Sequence, residues 1–261
     1  MDEVDRLLAR VKEQAGGMLP LPVYRRIYET AAACGGGTIV EIGIAQGAAT
    51  IALALGAKRA GKPFRIVSAD PFAIDSRRKV GSVEDNLDLV RRGFEAFGVA
   101  DAIEIVVGTV TDLVARADPR DIGLLMIDAD GRIDRELALL HDRLAPACPI
   151  IIDDVDGAIY LHRLGRSVSV DQKHRISRLL VERFAAEGLI VPQEMVGQTG
   201  WYLKGPAVRS ADDILLIALP AYRELIRATI GPGHIGPAAR RLAARCAPGL
   251  ASAWGRLRAA P

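Results

Sequence analysis

The 261-residue sequence has few cysteines, few histidines and no large excess of either charge. Its three cysteines are far apart and in no CxxC spacing, so we expect reduced thiols and neither a disulfide framework nor a zinc site. The 34 basic and 32 acidic residues give a net charge of +2. This balance argues against a nucleic-acid-binding protein that works through bulk charge.

Long hydrophobic runs are also missing. No apolar run approaches the ~20 residues needed to cross a bilayer, which predicts no stable membrane insertion. The N-terminus, "MDEVDRLLAR", is acidic and amphipathic, unlike a signal peptide. Half of the residues are apolar and a quarter are charged, which is typical of a globular protein with a sizeable core. We therefore expect a cytoplasmic protein with one large domain.

Short apolar segments alternate with longer helical patterns through most of the chain. The strand candidates are residues 38–43, 64–70, 103–108, 122–130 and 148–154, and the helical patterns cover 48–61, 83–98, 135–145 and 173–188. Repeated strand and helix without tight hairpins predicts an α/β fold with a parallel sheet covered on both faces. Residues 189–195 and 197–205 read as a closing, antiparallel pair, which makes a doubly wound, mostly parallel seven-stranded sheet.

The two ends of the chain differ from this central pattern. We predict an N-terminal helical segment over residues 1–34, a domain over 35–210 and a C-terminal helical appendage over 211–261. The Ala- and Arg-rich stretch 237–261 has five arginines and no acid. Docking or homo-oligomerisation is the favoured role of the appendage, with binding to a membrane surface as the alternative.

A glycine loop, "EIGIAQG", joins the first predicted strand to a helix. Gly43 and Gly47 let the backbone approach a ligand closely, and the helix N-terminus offers free N–H groups. The spacing is not the GxGxxG of dinucleotide-binding proteins. Asp70 ends the second strand, where an acid can accept hydrogen bonds from both hydroxyls of a ribose.

Two of the most apolar segments end in acids, "MIDAD" and "IIIDD". The carboxyl ends of neighbouring parallel strands lie together at the ligand crevice of an open α/β sheet. We therefore expect Asp128, Asp153 and Asp154 to meet there, and carboxylates so close repel each other unless a cation binds. An all-oxygen ligand set suits Mg²⁺, with Mn²⁺ or Ca²⁺ as alternatives. Asp156 reads as a cap or loop residue, and a structural role for some of the others stays open.

The motifs "IVEIGIAQGAAT", "VSADP", "IDADG" and "IIIDDV" resemble those of the class I S-adenosylmethionine-dependent O-methyltransferases. The resemblance covers about residues 20–205 and is to the metal-dependent branch that includes macrocin- and novobiocin-type sugar methyltransferases. It implies S-adenosylmethionine and Mg²⁺ as cofactors, with Asp130 as the base. The implied metal ligands are Asp128, Asp153 and Asp154, and the implied cofactor-binding residues are Glu41, Gly43, Gly47, Thr50, Asp70, Gly108 and Thr109.

Several positions depart from the family pattern. Catechol and caffeoyl-coenzyme A methyltransferases place a lysine three residues after the first metal ligand, where this sequence has Gly131, so a lysine-assisted catechol mechanism is disfavoured. Ala49 replaces a serine that often contacts the methionine carboxylate, which leaves Thr50 or backbone groups for that contact. In "GTVTD", side-chain contacts from Thr109 and Val110 to the adenine are doubtful.

The resemblance implies in-line attack of a substrate hydroxyl on the methyl group. Mg²⁺ bound through two adjacent substrate oxygens would lower the hydroxyl pKa, and Asp130 would take the proton. Asp130 would face the same crevice as Asp128 if the strand persists through residue 130. Otherwise the base lies between His162 and His174, or is water; His141 reads as a surface or core residue.

We expect the acceptor to be a small molecule with vicinal oxygens, such as a sugar, a glycosylated natural product or a related polyol. The loop 71–83 and the stretch after Asp156 would shape its pocket. Two other interpretations remain open: a metal-independent small-molecule methyltransferase, and a non-catalytic nucleotide-binding or scaffold protein of the same fold. Calorimetry with S-adenosylhomocysteine, with and without Mg²⁺, separates the three.

Overall fold

The computed structural model describes residues 2–34, 36–72, 81–164 and 167–227. The chain divides into two compact units, Met1–Ala218 and Leu219–Pro261. In the first unit residues 211–218 are helical, and in the second unit residues 219–227 are helical. The Arg-rich stretch 237–261 and most of the predicted pocket loop 71–83 lie outside the described residues.

The first unit contains a seven-stranded sheet with the order β3-β2-β1-β4-β5-β9-β8. Strands β1 to β5 are parallel, and β9 runs antiparallel to both β5 and β8. The strands are β1 Gly37–Ile42, β2 Phe64–Asp70, β3 Ile103–Val107, β4 Ile122–Ile127, β5 Pro149–Ile152, β6 Tyr160–Leu164, β7 Ser167–Asp171, β8 Ile190–Val196 and β9 Thr199–Lys204. The α-helices are α1 Glu3–Gln14, α2 Leu21–Ala33, α3 Ala48–Arg59, α4 Val83–Ala96, α5 Val110–Ala117, α6 Ile133–Leu140 and α7 Lys173–Ala186. The predicted fold class is confirmed.

The structure corrects three details of the predicted elements. Strand β4 ends at Ile127 rather than residue 130, because the chain turns at Asp128 towards α6. The eight-residue helix α5 was not predicted. The stretch after Asp156, for which no strands were predicted, contains an antiparallel hairpin, β6–β7. A short helix and a hairpin offer too few residues for a periodic signal to stand out.

The N-terminal helices belong to the core of the first unit. Leu8 and Val11 of α1 and Ile27 of α2 are fully buried, in the same hydrophobic cluster as Ile39 of β1 and Ile51 of α3. The predicted boundary at residue 34 therefore does not separate two compact units. Within the described parts of the chain, none of the helices combines the length and apolarity that crossing a bilayer requires.

Candidate active site

A cavity of about 620 Å³ opens at the carboxyl ends of the central parallel strands. Its walls come from the glycine loop after β1, the ends of β2, β3 and β4, helix α4, the turn between α1 and α2, and the start of α7. The lining residues include Gly16, Met18, Gly43, Ala45, Gln46, Asp70, Asn86, Leu89, Gly108, Thr109, Asp128, Asp130, Arg135, Asp171 and Lys173. This is the position at which open α/β sheets bind ligands.

The glycine loop contacts the neighbouring strand so closely that Gly43 has no room for a side chain. A Cβ atom at Gly43, whose φ is +98°, would lie 2.0 Å from the carbonyl oxygen of Asp128. Gly47 has a φ of +93° and is the N-cap of α3. Gly43 lines the cavity, whereas Gly47 serves the turn that presents the N-terminus of α3.

Asp70 lines the cavity, and its carboxylate holds the glycine loop. One oxygen accepts N–H bonds from Ile44 and Ala45 at 3.0 Å each, and the other accepts the N–H of Phe72 at 2.6 Å. A bond from Asp70 to a ribose would share the carboxylate with these three backbone groups. The predicted ribose contact stays a prediction.

Glu41 and Thr50 lie beneath the cavity rather than in its wall. Both side chains are fully buried, and the Thr50 hydroxyl donates to Glu41 at 2.7 Å. The Ser68 hydroxyl donates to the same carboxylate oxygen at 2.8 Å. These two side chains join β1, β2 and α3 under the loop, and their predicted contact with the cofactor stays a prediction.

Gly108 and Thr109 follow β3 and also line the cavity. Thr109 caps α5: its N–H and its hydroxyl both donate to Asp112, at 2.8 and 3.1 Å. The Thr109 side chain is therefore directed to its own helix, which agrees with the doubt about a contact from it to an adenine.

The three predicted metal ligands do meet. Each of Asp128, Asp153 and Asp154 offers a carboxylate oxygen, and these oxygens lie within 4.8 Å of one another. Asp128 follows β4 and Asp153 follows β5, and the parallel pairing of Ile127 with Ile152 brings them together. Asp154 has a φ of +57°, which turns the chain immediately after Asp153. The structure thus confirms the predicted proximity of the three acids.

Two of the three clustered acids, Asp153 and Asp154, are buried, and Asp128 is partly exposed. Burial, together with the neighbouring charges of Asp128 and Asp154, raises the pKa of Asp153 to about 7. The Thr199 hydroxyl donates to Asp153 at 2.5 Å, and the side-chain amide of Gln198 donates to Asp154 at 2.5 Å. Hydrogen bonds of this kind orient carboxylates around a cation.

Lys173, the first residue of α7, was not predicted as a site residue. Its Nζ lies 2.6 Å from Oδ2 of Asp154 and 3.2 Å from Oδ1 of Asp128. Burial lowers the pKa of Lys173, but the charges of Asp128 and Asp154 outweigh it and hold the pKa above its ordinary value. The lysine therefore supplies a positive charge directly to the acid cluster.

His174 lies on the outer side of the same acids. Its Nε2 lies 3.1 Å from Asp154 and its Nδ1 lies 2.9 Å from Asp156, and the side chain is largely buried. Asp156 also accepts the Ala158 N–H and the Tyr160 hydroxyl, so it holds a turn, consistent with the predicted loop role. His174 thus supports a predicted ligand, and its contact with a substrate stays a prediction.

Two further histidines of the described residues, His141 and His162, contact groups other than the three clustered acids. His141 is buried, with Nε2 3.0 Å from the carbonyl oxygen of Leu189, which fits the predicted core role. His162 lies on the hairpin with Nε2 3.6 Å from Asp171.

Asp130 lies at the rim of the cavity in a turn. It accepts the Arg132 N–H at 3.1 Å and pairs with the guanidinium of Arg135 at 3.3 Å, and 55% of its side chain is exposed. The expected alternation of Asp130 with Asp128 required a strand through residue 130, and this condition is not met because β4 ends at Ile127. Its role as the base stays a prediction, and it now requires that the turn, rather than a strand, directs the Asp130 carboxylate to the substrate.

Residues 40–155 match the model of a family described as a methyltransferase domain. This stretch is less than half of the chain; it is similar in sequence to methyltransferase domains, and the fold is like that of the class I methyltransferases. A search of curated proteins gave no match.

Several solved structures share the fold of this chain. Cofactor-bound Rv0187 from MTB is 21% identical with a TM-score of 0.57, and the match covers 78% of this chain and 90% of that one. The O-methyltransferase from Bacillus cereus in complex with SAH is 19% identical with a TM-score of 0.54, covering 78% and 91%. TomG from Streptomyces achromogenes, an O-methyltransferase involved in tomaymycin synthesis, in complex with SAM, is 17% identical with a TM-score of 0.52, covering 78% and 91%. At these identities the likeness establishes the fold.

Three parts of the cavity wall were not predicted from the sequence. The turn between α1 and α2 contributes Gly16 and Met18, and α6 and α7 contribute Arg135 and Lys173. None of these belongs to a motif, and Lys173 is 45 residues from Asp128 in the chain. The one available signal was a basic residue, in "DQKH", following the predicted metal acids.

Proposed function

We propose that this methyltransferase transfers the methyl group of S-adenosylmethionine to a hydroxyl oxygen of a small molecule, with a divalent cation at the acid cluster. The observation that carries the proposal is the meeting of Asp128, Asp153 and Asp154 beside the cavity formed by the glycine loop. The O-methyltransferases of the same fold, solved with SAH or SAM, support the choice of cofactor and of oxygen as acceptor.

The cofactor is expected to lie between the glycine loop and the end of β3. Gly43, Ala45 and Gln46 line the cavity just before α3, and the N–H groups at the N-terminus of that helix favour a carboxylate. Asn86 and Leu89 of α4, together with Gly108, line the other side and offer a mixed polar and apolar wall of the kind small-molecule sites use.

The donor set fits a divalent cation. Three carboxylates offer oxygen ligands without histidine or cysteine, which suits Mg²⁺ or Mn²⁺. Burial first, and then the charges of Asp128 and Asp154, raise the pKa of Asp153, and a bound cation would favour its ionised form. A bound cation would orient two substrate oxygens and would lower the pKa of the reacting hydroxyl.

A residue at the cavity rim would accept the proton that the reacting hydroxyl loses. Asp130 lies at the cavity rim, held by Arg135, where it could receive the proton of the hydroxyl. The acceptor would carry vicinal oxygens, as sugars, glycosylated natural products and related polyols do. We place the enzyme in the cytoplasm, in keeping with the free thiols of Cys34 and Cys148.

A metal-independent transfer is the second candidate, and Lys173 favours it. Its ammonium group already contacts two of the three acids, so the cluster has an internal counter-charge. In that case the acids and the lysine would bind polar groups of the acceptor.

The test is calorimetry with S-adenosylhomocysteine, with and without Mg²⁺, followed by a screen of glycosylated and catecholic acceptors with labelled methyl donor. Micromolar binding, and turnover that EDTA abolishes and Mg²⁺ restores, would support the proposal. Binding with turnover that resists EDTA would favour the metal-independent reaction. Absence of cofactor binding would contradict both, leaving a non-catalytic protein of this fold.

A further inference from the structure

Lys173 is held in the acid cluster by its surroundings. Its backbone N–H donates to Asp171 at 2.9 Å, and the Ser177 hydroxyl donates to the Lys173 carbonyl at 2.9 Å, so both backbone groups at the start of α7 are bound. The side chain then passes over Gly131, where a Cβ atom would lie only 2.9 Å from Cγ of Lys173. The missing side chain at residue 131 therefore makes room for the lysine stem.

The ammonium group contacts the carboxylates that a divalent cation needs. Nζ lies 2.6 Å from Asp154 and 3.2 Å from Asp128, and these are two of the three acids of the cluster. A divalent cation on the same two carboxylates would lie beside a full positive charge in a partly buried place, where screening by water is weak. Simultaneous contact of the Lys173 ammonium group and a divalent cation with these two carboxylates is therefore unfavourable.

The two cations differ in what they require. Mg²⁺ and Mn²⁺ need several oxygen ligands at short distances, whereas an ammonium group on a four-carbon stem accepts varied geometry and can swing away. One ammonium charge against three carboxylates leaves the cluster short of positive charge, which a divalent cation would supply. When the divalent cation binds, it would thus replace the Lys173 ammonium group as the partner of Asp128 and Asp154.

We propose that Lys173 is an internal competitor of the divalent cation: its ammonium group holds Asp128 and Asp154 in the metal-free protein and must leave them when the cation binds. The inference rests on the metal site of the proposed function. By linkage, the lysine weakens metal binding, and the metal releases the lysine towards the cavity that Lys173 lines.

The test is Mn²⁺ binding to the full chain, stripped with EDTA and dialysed, measured by electron paramagnetic resonance and calorimetry. Lys173→Met retains the length of the side chain and removes its charge, and is expected to bind Mn²⁺ at least about tenfold more tightly than the wild type. Lys204→Met is the matched control: Lys204 is a partly buried lysine that donates to the Leu144 carbonyl at 2.7 Å and does not line the cavity. Its Mn²⁺ affinity should equal that of the wild type.

Thermal unfolding gives a second readout that does not depend on activity. Without metal, Lys173→Met should unfold at a lower temperature than the wild type, because the acids lose their counter-charge. Saturating Mn²⁺ should raise the unfolding temperature of Lys173→Met more than that of the wild type. A purely structural role for Lys173 would lower the unfolding temperature without this larger gain.

The outcomes separate this inference from the proposed function. Equal Mn²⁺ affinity of wild type and Lys173→Met would overturn the competition and leave the metal site standing. Binding by Lys173→Met alone would support the competition and remove metal dependence from the wild-type reaction. Binding by neither protein would overturn both the competition and the metal site, while S-adenosylhomocysteine binding would still report on the cofactor site.

Discussion

Substitution of Glu41 by Gln tests the buried support of the glycine loop. Glu41 has no exposed surface; one carboxylate oxygen accepts the hydroxyls of Thr50 and Ser68, and the other has no partner among the described residues. Burial raises the pKa of Glu41 to about 7 in spite of the two hydrogen bonds, which lower it. Gln has nearly the same shape, can accept the same two bonds and cannot ionise.

The magnitude follows from the two pKa values. In the unfolded chain Glu41 loses its proton near its ordinary pKa of 4.5, while in the folded protein it retains the proton up to about pH 7. Folding stability should therefore fall as the pH rises from 4.5 to 7, and this contribution should level off above 7. The difference corresponds to about 3 kcal/mol at 1.36 kcal/mol for each pKa unit. The Gln variant should lack this fall.

The assay is urea unfolding followed by circular dichroism between pH 5 and 8.5, in EDTA. Asp153, whose pKa is also raised to about 7, is present in both proteins, so its contribution largely cancels in the difference. The free energy of unfolding of Glu41→Gln minus that of the wild type should increase with pH up to about 7 and then become constant. A difference independent of pH would refute the reasoning, because Glu41 would then not be protonated in the folded protein.

The same variant separates support of the loop from contact with the cofactor. Because the Glu41 side chain is fully buried, we expect Glu41→Gln to bind S-adenosylhomocysteine with nearly wild-type affinity in calorimetry. A large loss of affinity with an unchanged free energy of unfolding would restore the direct contact that the sequence suggested.

Asp70→Ala should weaken S-adenosylhomocysteine binding by about 1.5–3 kcal/mol in calorimetry, the range for hydrogen bonds to a charged group. Unchanged affinity would remove Asp70 from the site. Asp153→Ala should abolish Mn²⁺ binding in electron paramagnetic resonance, since it removes one of three clustered carboxylates; retained binding would place the metal elsewhere. Asp130→Asn should retain cofactor and metal affinity and lower turnover by about 10²–10⁴-fold. Loss of the metal instead would make Asp130 a ligand.

Asp142→Asn is a suitable control for these three variants. Its carboxylate is 69% exposed and does not line the cavity. It should leave cofactor affinity, metal affinity and turnover unchanged, so that effects of the other variants report on the site rather than on the loss of a charge.

The strands and the acid cluster could be predicted because their signals are local. Apolar segments such as 64–70 and 148–154 end in glycine or acid, and a continuous apolar run marks a strand buried on both faces. Once the strands are parallel, their carboxyl ends share one edge of the sheet, so Asp128 and Asp153 had to be neighbours. Nothing beyond strand direction and adjacency was needed for that inference.

The surroundings of the acids depended on the tertiary structure. Where β4 ends decides whether Asp130 alternates with Asp128, and that end is set by the turn into α6 rather than by the apolar pattern. Asp70 was correctly placed at a strand end, but its binding to the Ile44 and Ala45 N–H groups depends on how closely the loop folds back over β2.

Lys173 shows most clearly what the sequence alone could not determine. The sequence predicted that three carboxylates gather at one edge of a parallel sheet, because strand direction and strand adjacency bring them there. Which cation faces them was decided by the packing of α7 over Gly131, a contact between segments more than forty residues apart. Such a contact depends on helix position to within an ångström or two, and that position results from the whole core rather than from any local pattern.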